Sequence, residues 1–270
     1  MTRNSFHLPE DVSLSEEFLR NGYVILRTES EDELARMQNF VACYAATKLG
    51  LAEPHNAQSF LDNIADHISV DKLNDFRLDL IDVMNAQAWM RPLYLSLARS
   101  AINNIVGNEL SMQRRINLSI QIPDDDSSLL PVHADVWSGD SPFEVVLWVP
   151  LVDCASTKSM YLMPPREDRE IQAQLAAFNS KSSEDLFAAI EPFAKFLEVP
   201  FGHVLLFSQT LMHGNRVNIE RKTRWSMNCR FKSVFSPYAD KKLGEFFEPV
   251  TLRANTRFAM QYELPRNFDE

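Results

Sequence analysis

The sequence predicts a mainly β protein with helices: a jelly roll of short strands, buttressed on one side by an N-terminal helical layer. Three observations predict it. Up to about residue 110 the apolar residues recur at helical spacing, with a single strand among them. From Ser111 onward the chain turns into short alternating or continuous apolar runs separated by turns. The chain has 7 glycines and carries no internal repeat, no nucleotide fingerprint and no Gly-rich phosphate loop. One domain over 1–270 is expected, with a helical layer at 1–110, a jelly-roll core at 111–235 carrying a helical insertion at about 166–190, and a C-terminal extension at 236–270.

Taken in order, residues 1–20 read as a polar arm or short helix. Residues 22–27 (Gly-Tyr-Val-Ile-Leu-Arg) are a compact β-branched and aromatic run, a strand. Ser30 with Glu33 predicts a capping box, followed by Leu34, Met37, Phe40, Val41 and Tyr44 at helical spacing. Ser69 opens a second helix with Leu73, Phe76, Leu80, Ile81 and Met84 on one face, and a third is expected from about 88 to 106, stopping at Gly107. Residues 113–122 alternate, with Ile116, Leu118, Ile120 and Ile122 on one face and Arg115, Asn117, Ser119 and Gln121 on the other. Such a strand packs one face on a core and offers polar groups to water or a cavity. The acidic turn at 123–128 reads as a solvated loop. Further strands are expected at 143–152, 159–163, 196–199, 204–207 and 224–231, and an extended tail from Glu245 with a short regular end around 258–262.

Composition bounds the function. A chain of 270 residues with 45% hydrophobic and 24% charged residues has room for a substantial core. Its net charge of −10 gives no general attraction to phosphate backbones, which argues against nucleic-acid partners. No run reaches membrane-spanning length and Met1–His7 has no apolar signal core, so a cytoplasmic protein with no membrane partner is expected. Cys43, Cys154 and Cys229 are few and unclustered, and read as reduced, buried thiols.

The chemistry-bearing pattern is His133-Ala134-Asp135, with His213-Gly214 ending an apolar strand 78 residues after Asp135. On a strand, residues two apart share a face, so imidazole and carboxylate converge. Two imidazoles and one carboxylate on one side of a metal leave the other side open, the facial set of non-haem Fe(II) oxygenases. Arg224 follows His213 by 11 residues, and Arg224-Trp225-Ser226 puts a guanidinium and a hydroxyl on one strand face, a pair suited to a carboxylate. His7, His55, His67 and His203 have no partner pattern.

In this order and spacing the residues resemble the Fe(II)/2-oxoglutarate dioxygenases, in the phytanoyl-CoA dioxygenase-like branch. The resemblance covers roughly 20 to 232: the Gly22–Leu26 opening, the His133-x-Asp135 motif, the central strand with its Met160–Pro165 turn, and Gly202–Phe207, His213-Gly214, Asn218 and Arg224 at the end. Lys158-Ser159 and Pro164-Pro165-Arg166-Glu167 depart from that branch's pattern, on the side where substrate would sit. Related halogenases replace the metal-binding carboxylate by a small residue; Asp135 is present, which implies hydroxylation-type oxidation. The resemblance implies a double-stranded β-helix (cupin-like) core, with Fe(II) held by His133, Asp135 and His213. It implies 2-oxoglutarate and O2 as co-substrates, Arg224 and Ser226 meeting the far carboxylate, and Asn117 and Gln121 adding polar contacts. Trp137, Arg115, Lys158 and Asn215 are the candidate contacts to a small-molecule substrate. The stretch 137–142 is similar to members of polysaccharide and sugar-modifying clusters, which suggests a sugar or sugar nucleotide. Two other classes fit part of the pattern: a cupin-like metal-dependent sugar isomerase or epimerase without oxygen chemistry, and a non-catalytic jelly-roll binding module. Oligomeric state is left open.

Overall fold

The structure, a computed structural model, describes residues 8–264. The expectations for residues 1–7, His7 among them, lie outside the described residues. Helix α1 (Pro9–Asn21) begins on a proline, whose missing N–H costs nothing in a first turn. It ends at Gly22, where φ of 73° suits a residue without Cβ, and the chain turns into β1 (Tyr23–Arg27). Helix α2 (Glu31–Lys48) buries Leu34, Met37 and Val41 as predicted, with Phe40 and Tyr44 packed beside them. The predicted capping box is absent: Ser30 stands at the N-cap without a side-chain bond, and Glu31, Asp32 and Glu33 meet the helix dipole instead. Helix α3 (Ala57–Asp62), which the sequence reading passed over, is capped by Asn56 accepting from Ser59 N at 2.8 Å. Helix α4 (Val70–Asn85) buries its five predicted residues.

The third predicted helix is two, α5 (Met90–Ser96) and α6 (Arg99–Ile105). The break has a cause. Leu97's carbonyl accepts from Glu29 N at 2.9 Å and from the Thr28 hydroxyl at 3.2 Å, and Glu29's carboxylate accepts from Ser100 N at 2.8 Å. The turn after β1 thus cuts the helix and caps its second half. Glu29→Ala is expected to lower stability by about 1 kcal/mol, a drop in Tm of about 2–4 °C that differential scanning calorimetry resolves.

The large sheet contains β2 (Leu110–Gln113), β3 (Asn117–Gln121), β4 (Val145–Pro150), β7 (His203–Ser208), β9 (Arg224–Ser233) and β10 (Phe247–Thr251), together with β1, in the order β1-β7-β4-β9-β2-β10 with β3 also on β9. The small sheet runs β6-β5-β8, from β5 (Tyr161–Leu162), β6 (Lys195–Phe196) and β8 (His213–Gly214). Of the predicted 113–122 strand, 117–121 forms β3 and only Gln113 belongs to a strand, as the last residue of β2; β2 and β3 both pair with β9. Asn85 explains the interruption: its amide accepts from Ile116 N at 2.8 Å and donates to Ile116 O at 2.9 Å, replacing a ladder partner. The insertion forms α7 (Pro165–Gln172) and α8 (Ser183–Ile190), which close a small second core with Tyr161 and Met212. The tail joins the large sheet through β10, paired antiparallel with β2, and ends in α9 (Ala254–Ala259).

Strand β9 sorts the interior by period two. Trp225, Met227, Cys229 and Phe231 enter the main core under the helices, where Trp225 meets Phe76 edge-on. Arg224, Ser226, Asn228 and Arg230 face the opposite way, into a cavity between the sheets. All three cysteines are free thiols; Cys154 and Cys229 are buried, whereas Cys43 is part-exposed beside Glu53 and is not the core hydrophobe expected. No helix among the described residues is long and apolar enough to cross a membrane.

Candidate metal centre

His133 and His213 are brought together by backbone. His133 N donates to His213 O at 3.0 Å and His213 N donates to His133 O at 2.8 Å, an isolated antiparallel bridge. Their rings lie 4.3 Å apart between centroids. Ala134 is extended (φ −117°, ψ 134°), so Asp135 returns to the same side as His133, although Asp135 itself begins a one-turn 3-10 segment rather than continuing a strand. Asp135 N donates to Gln209 O at 3.1 Å and fixes that segment to the turn after β7. One ligand atom from each of the three side chains falls within 4.8 Å of the others.

The protonation pattern suits a cation. Nδ1 of His133 lies 2.7 Å from Pro131 O and Nδ1 of His213 lies 2.8 Å from Leu211 O. A carbonyl only accepts, so each Nδ1 carries the proton and each Nε2 keeps a free lone pair. Burial, with His133 alongside, pushes the His213 imidazole down to about 4, which keeps it neutral as a ligand must be. Asp135 divides its oxygens: Oδ2 pairs with Arg230 at 3.1 Å and Oδ1 faces His133 Nε2 at 3.6 Å. Two lone pairs and one free carboxylate oxygen, with orientation held from behind, are the donor set of a borderline divalent metal.

Arg230 is itself locked, its Nε donating to Gln209 Oε1 at 3.0 Å and lying 3.3 Å from Asp140 Oδ1. Gln209 in turn donates to Glu144 Oε2 at 2.8 Å. Burial drives the Glu144 carboxyl up to about 7.

Away from the triad, the cavity holds about 310 Å³. Val146, Trp148, Met160 and Phe207 form its apolar wall, and Arg224 and Ser226 lie at its polar end. Arg224 Nη2 donates to Ser119 Oγ at 2.8 Å, while Arg224 Nε and Ser226 Oγ are buried with no hydrogen-bond partner. Burial lowers the Arg224 pKa to about 10, with no carboxylate at ion-pair distance among the described residues to compensate it. Unpartnered buried donors are costly and point to an absent acceptor. A carboxylate suits both.

The remaining predicted site residues separate. Asn117 lines the cavity, bonded through Nδ2 to Asn228 Oδ1 at 3.2 Å. Gln121, opposite Arg224 in the ladder, donates to Arg216 O at 2.6 Å and leaves Oε1 buried and unpartnered. Asn215 lines the cavity but spends its amide on Leu130 N, at 2.6 Å, and Ser128 O, at 3.2 Å, pinning the segment that covers the site. Trp137 points outward, part-exposed, with Nε1 3.4 Å from Gln172 Oε1. Two substrate assignments are corrected. Arg115 lies on the outer surface, 3.7 Å from Asp82, because the strand is interrupted there and its side chain leaves the cavity face. Lys158 is buried in a 2.6 Å ion pair with Asp62, remote from this cavity. Ser119, Asn228 and Arg230 also line the cavity, and their even spacing from Asn117 and Arg224 places them on the same two strand faces; of these, Asn228 was missed.

No family model matches this sequence, and no curated protein matches it. Solved structures do. A non-haem monooxygenase, ThoJ, in its nickel complex superposes with a TM-score of 0.56 at 15% identity, covering 90% of this chain and 85% of that one. EctD from S. alaskensis with 2-oxoglutarate and 5-hydroxyectoine gives 0.53 at 19% identity over 88% of this chain and 80% of its own. HygX from Streptomyces hygroscopicus with nickel and 2-oxoglutarate bound gives 0.55 at 14% identity over 93% and 94%. The fold is the double-stranded β-helix of the non-haem oxygenases. At these identities the likeness concerns the fold.

Proposed function

We propose that the protein is an Fe(II)- and 2-oxoglutarate-dependent oxygenase that oxidises an unactivated C–H bond of a small molecule. The observation that carries this is the pairing of two features in one cavity: a His-Asp-His donor set with free Nε2 atoms, and a buried arginine and serine whose donors lack an acceptor. A metal site alone would equally suit an isomerase. A second, buried carboxylate receptor does not follow from isomerase chemistry, but it is what a keto-diacid needs. That HygX and EctD are crystallised with 2-oxoglutarate supports the same co-substrate here.

In this reading His133, Asp135 and His213 hold iron, and Arg224 and Ser226 hold the distal carboxylate of 2-oxoglutarate. Iron with the keto acid supplies, when bound, oxygen-derived oxidising power. The chain's own contribution is positional. The two backbone carbonyls fix the imidazole tautomers, and Arg230 holds Asp135 so that its other oxygen faces the metal. The apolar wall keeps water from the reacting carbon, and the cavity sets which C–H bond is presented. The order of motifs favours the phytanoyl-CoA dioxygenase-like branch, and the 137–142 stretch favours a sugar or sugar-nucleotide substrate. The test is aerobic incubation with Fe(II) and 2-oxoglutarate, reading succinate. Keto-acid-dependent succinate is expected even without substrate, as slow uncoupled turnover. None at any Fe(II) concentration would promote the isomerase.

A further inference from the structure

A second cavity, of about 390 Å³, lies between α4 and the 127–130 segment. It shares Asn117, Ser119, Leu130 and Asn228 with the metal cavity, so the hydrogen-bonded Asn117–Asn228 amide pair stands as a wall common to both. Three arginines line the two cavities. Arg224 is reserved for the co-substrate in the reading above, and Arg230 is spent on Asp135 and Asp140. Arg77 is different. Its guanidinium donates only to neutral oxygens, Leu118 O at 3.3 Å and Asn74 Oδ1 at 2.8 Å, and no carboxylate lies within ion-pair distance of it among the described residues. It is also the one charged side chain lining the second cavity among the described residues. Of the three acids of the neighbouring turn, Asp124 and Asp126 are exposed and do not line this cavity, and Asp125 is buried and engaged by Ser127 and Ser128. Burial and nearby Arg115 both lower the Arg77 pKa, the mark of a cation without a counter-charge.

We infer that the second cavity is a substrate subsite in which Arg77 binds an oxyanion, a carboxylate or a phosphate, of a molecule whose oxidised portion reaches past the Asn117–Asn228 wall into the metal cavity. The subsite stands on its own geometry; only its role as substrate recognition rests on the oxygenase reading. Its other polar walls, Asn74, Ser127 and Ser128, are neutral; the two serine hydroxyls donate to Asp125 and keep their oxygens as acceptors. They suit the hydroxyls or amides of a polar small molecule, and a guanidinium supplies the planar fork that an oxyanion needs. A neutral substrate would leave the cation unmatched.

The experiment uses two probes, propionate followed by saturation-transfer NMR and inorganic phosphate followed by 31P line width. Both are titrated into the metal-free protein and into protein loaded with Zn(II) and saturating 2-oxoglutarate. One of the two anions is expected to bind the parent and Arg20→Gln, an exposed arginine in the last turn of α1, alike. Arg77→Gln is expected to bind it at least about 10-fold more weakly, about 1.4 kcal/mol, with unchanged affinity for 2-oxoglutarate. Which anion binds decides between the carboxylate and phosphate arms. Equal binding by Arg77→Gln in the protein saturated with 2-oxoglutarate, where Arg224 is already engaged, or no binding of either probe by the parent, overturns the subsite. Absence of 2-oxoglutarate binding by the parent would instead sink the oxygenase reading, which the metal-free titration does not depend on.

Discussion

Arg224→Ala is expected to bind Fe(II) like the parent and to lose roughly 30- to several-thousand-fold in affinity for 2-oxoglutarate. A keto-diacid chelating the metal leaves its second carboxylate in the cavity, away from water, and a bare carboxylate there is costly without a fixed cation. Arg224 is 3% exposed and lies on β9 with Ser226 two residues along the same face. Truncating one member of a buried charged pair costs about 2–5 kcal/mol, and about 1.4 kcal/mol is one decade. The variant loses one bond, to Ser119 Oγ, and leaves no stranded charge, because no carboxylate pairs with Arg224 among the described residues. A large affinity loss with intact folding therefore reports the co-substrate. Arg224→Lys is expected to recover part of it, since an ammonium reaches the carboxylate without the fork. Anaerobic titration of 2-oxoglutarate into metal-loaded protein, with iron content measured alongside, decides the matter. An unchanged Kd would move the carboxylate to Arg230, the next cation on that strand face.

Much of this fold was legible because its signals are periodic. The alternation of 117–121, the apolar run of β4 and the helical faces of α2 and α4 are properties of short windows: the alternating strand and the two helices bury the faces expected, and β4 is buried throughout. The breaks were not legible, because distant residues impose them. Asn85 interrupts the strand at Ile116 from another helix, and Glu29 with Thr28 splits α5 from α6 across the turn after β1. Nothing in a local window records either contact. The tail strand β10 was read as merely extended for the same reason: its partner β2 lies more than a hundred residues earlier.

The site divides along similar lines. His133, Asp135 and His213 were found by residue type and spacing, and the structure brings them together through a backbone bridge and a turn rather than the continuous strand expected. Arg224 and Ser226 followed from period two, and the same rule carried two positions further would have reached Asn228. Arg115 and Lys158 went astray because a basic side chain near a motif in sequence says nothing about which way the chain turns between them. The pinning of the cover by Asn215, and the chain from Arg230 through Gln209 to Glu144, are purely tertiary.

The second large effect concerns the metal, and it separates ligands from the residue that orients one of them. His213→Ala, His133→Ala and Asp135→Ala are each expected to lose more than about 100-fold in Fe(II) affinity. That exceeds the 10–100-fold typical for an outer partner. Folding is expected to survive in the histidine variants, because the bridge between positions 133 and 213 is made by backbone N–H and C=O groups that alanine keeps. Arg230→Gln is the contrasting case. It leaves all three donors in place but releases Asp135 Oδ2, which Arg230 holds at 3.1 Å, and strips one cation from Asp140, to which Lys241 still donates. Two effects then oppose each other: the freed carboxylate loses its fixed orientation, while removal of a nearby positive charge favours a dication. At an effective dielectric near 20 a unit charge about 4 Å away is worth about 4 kcal/mol, but the neighbouring acids already offset most of it here. Orientation is therefore expected to win, with a net loss of about 10-fold, smaller than for any ligand. Anaerobic Fe(II) titration of the four variants, with circular dichroism as the folding control, gives the ranking. Iron affinity in His213→Ala equal to the parent's would remove that residue from the site, and a loss in Arg230→Gln as deep as in Asp135→Ala would mean that the arginine, not the metal, is what Asp135 chiefly serves.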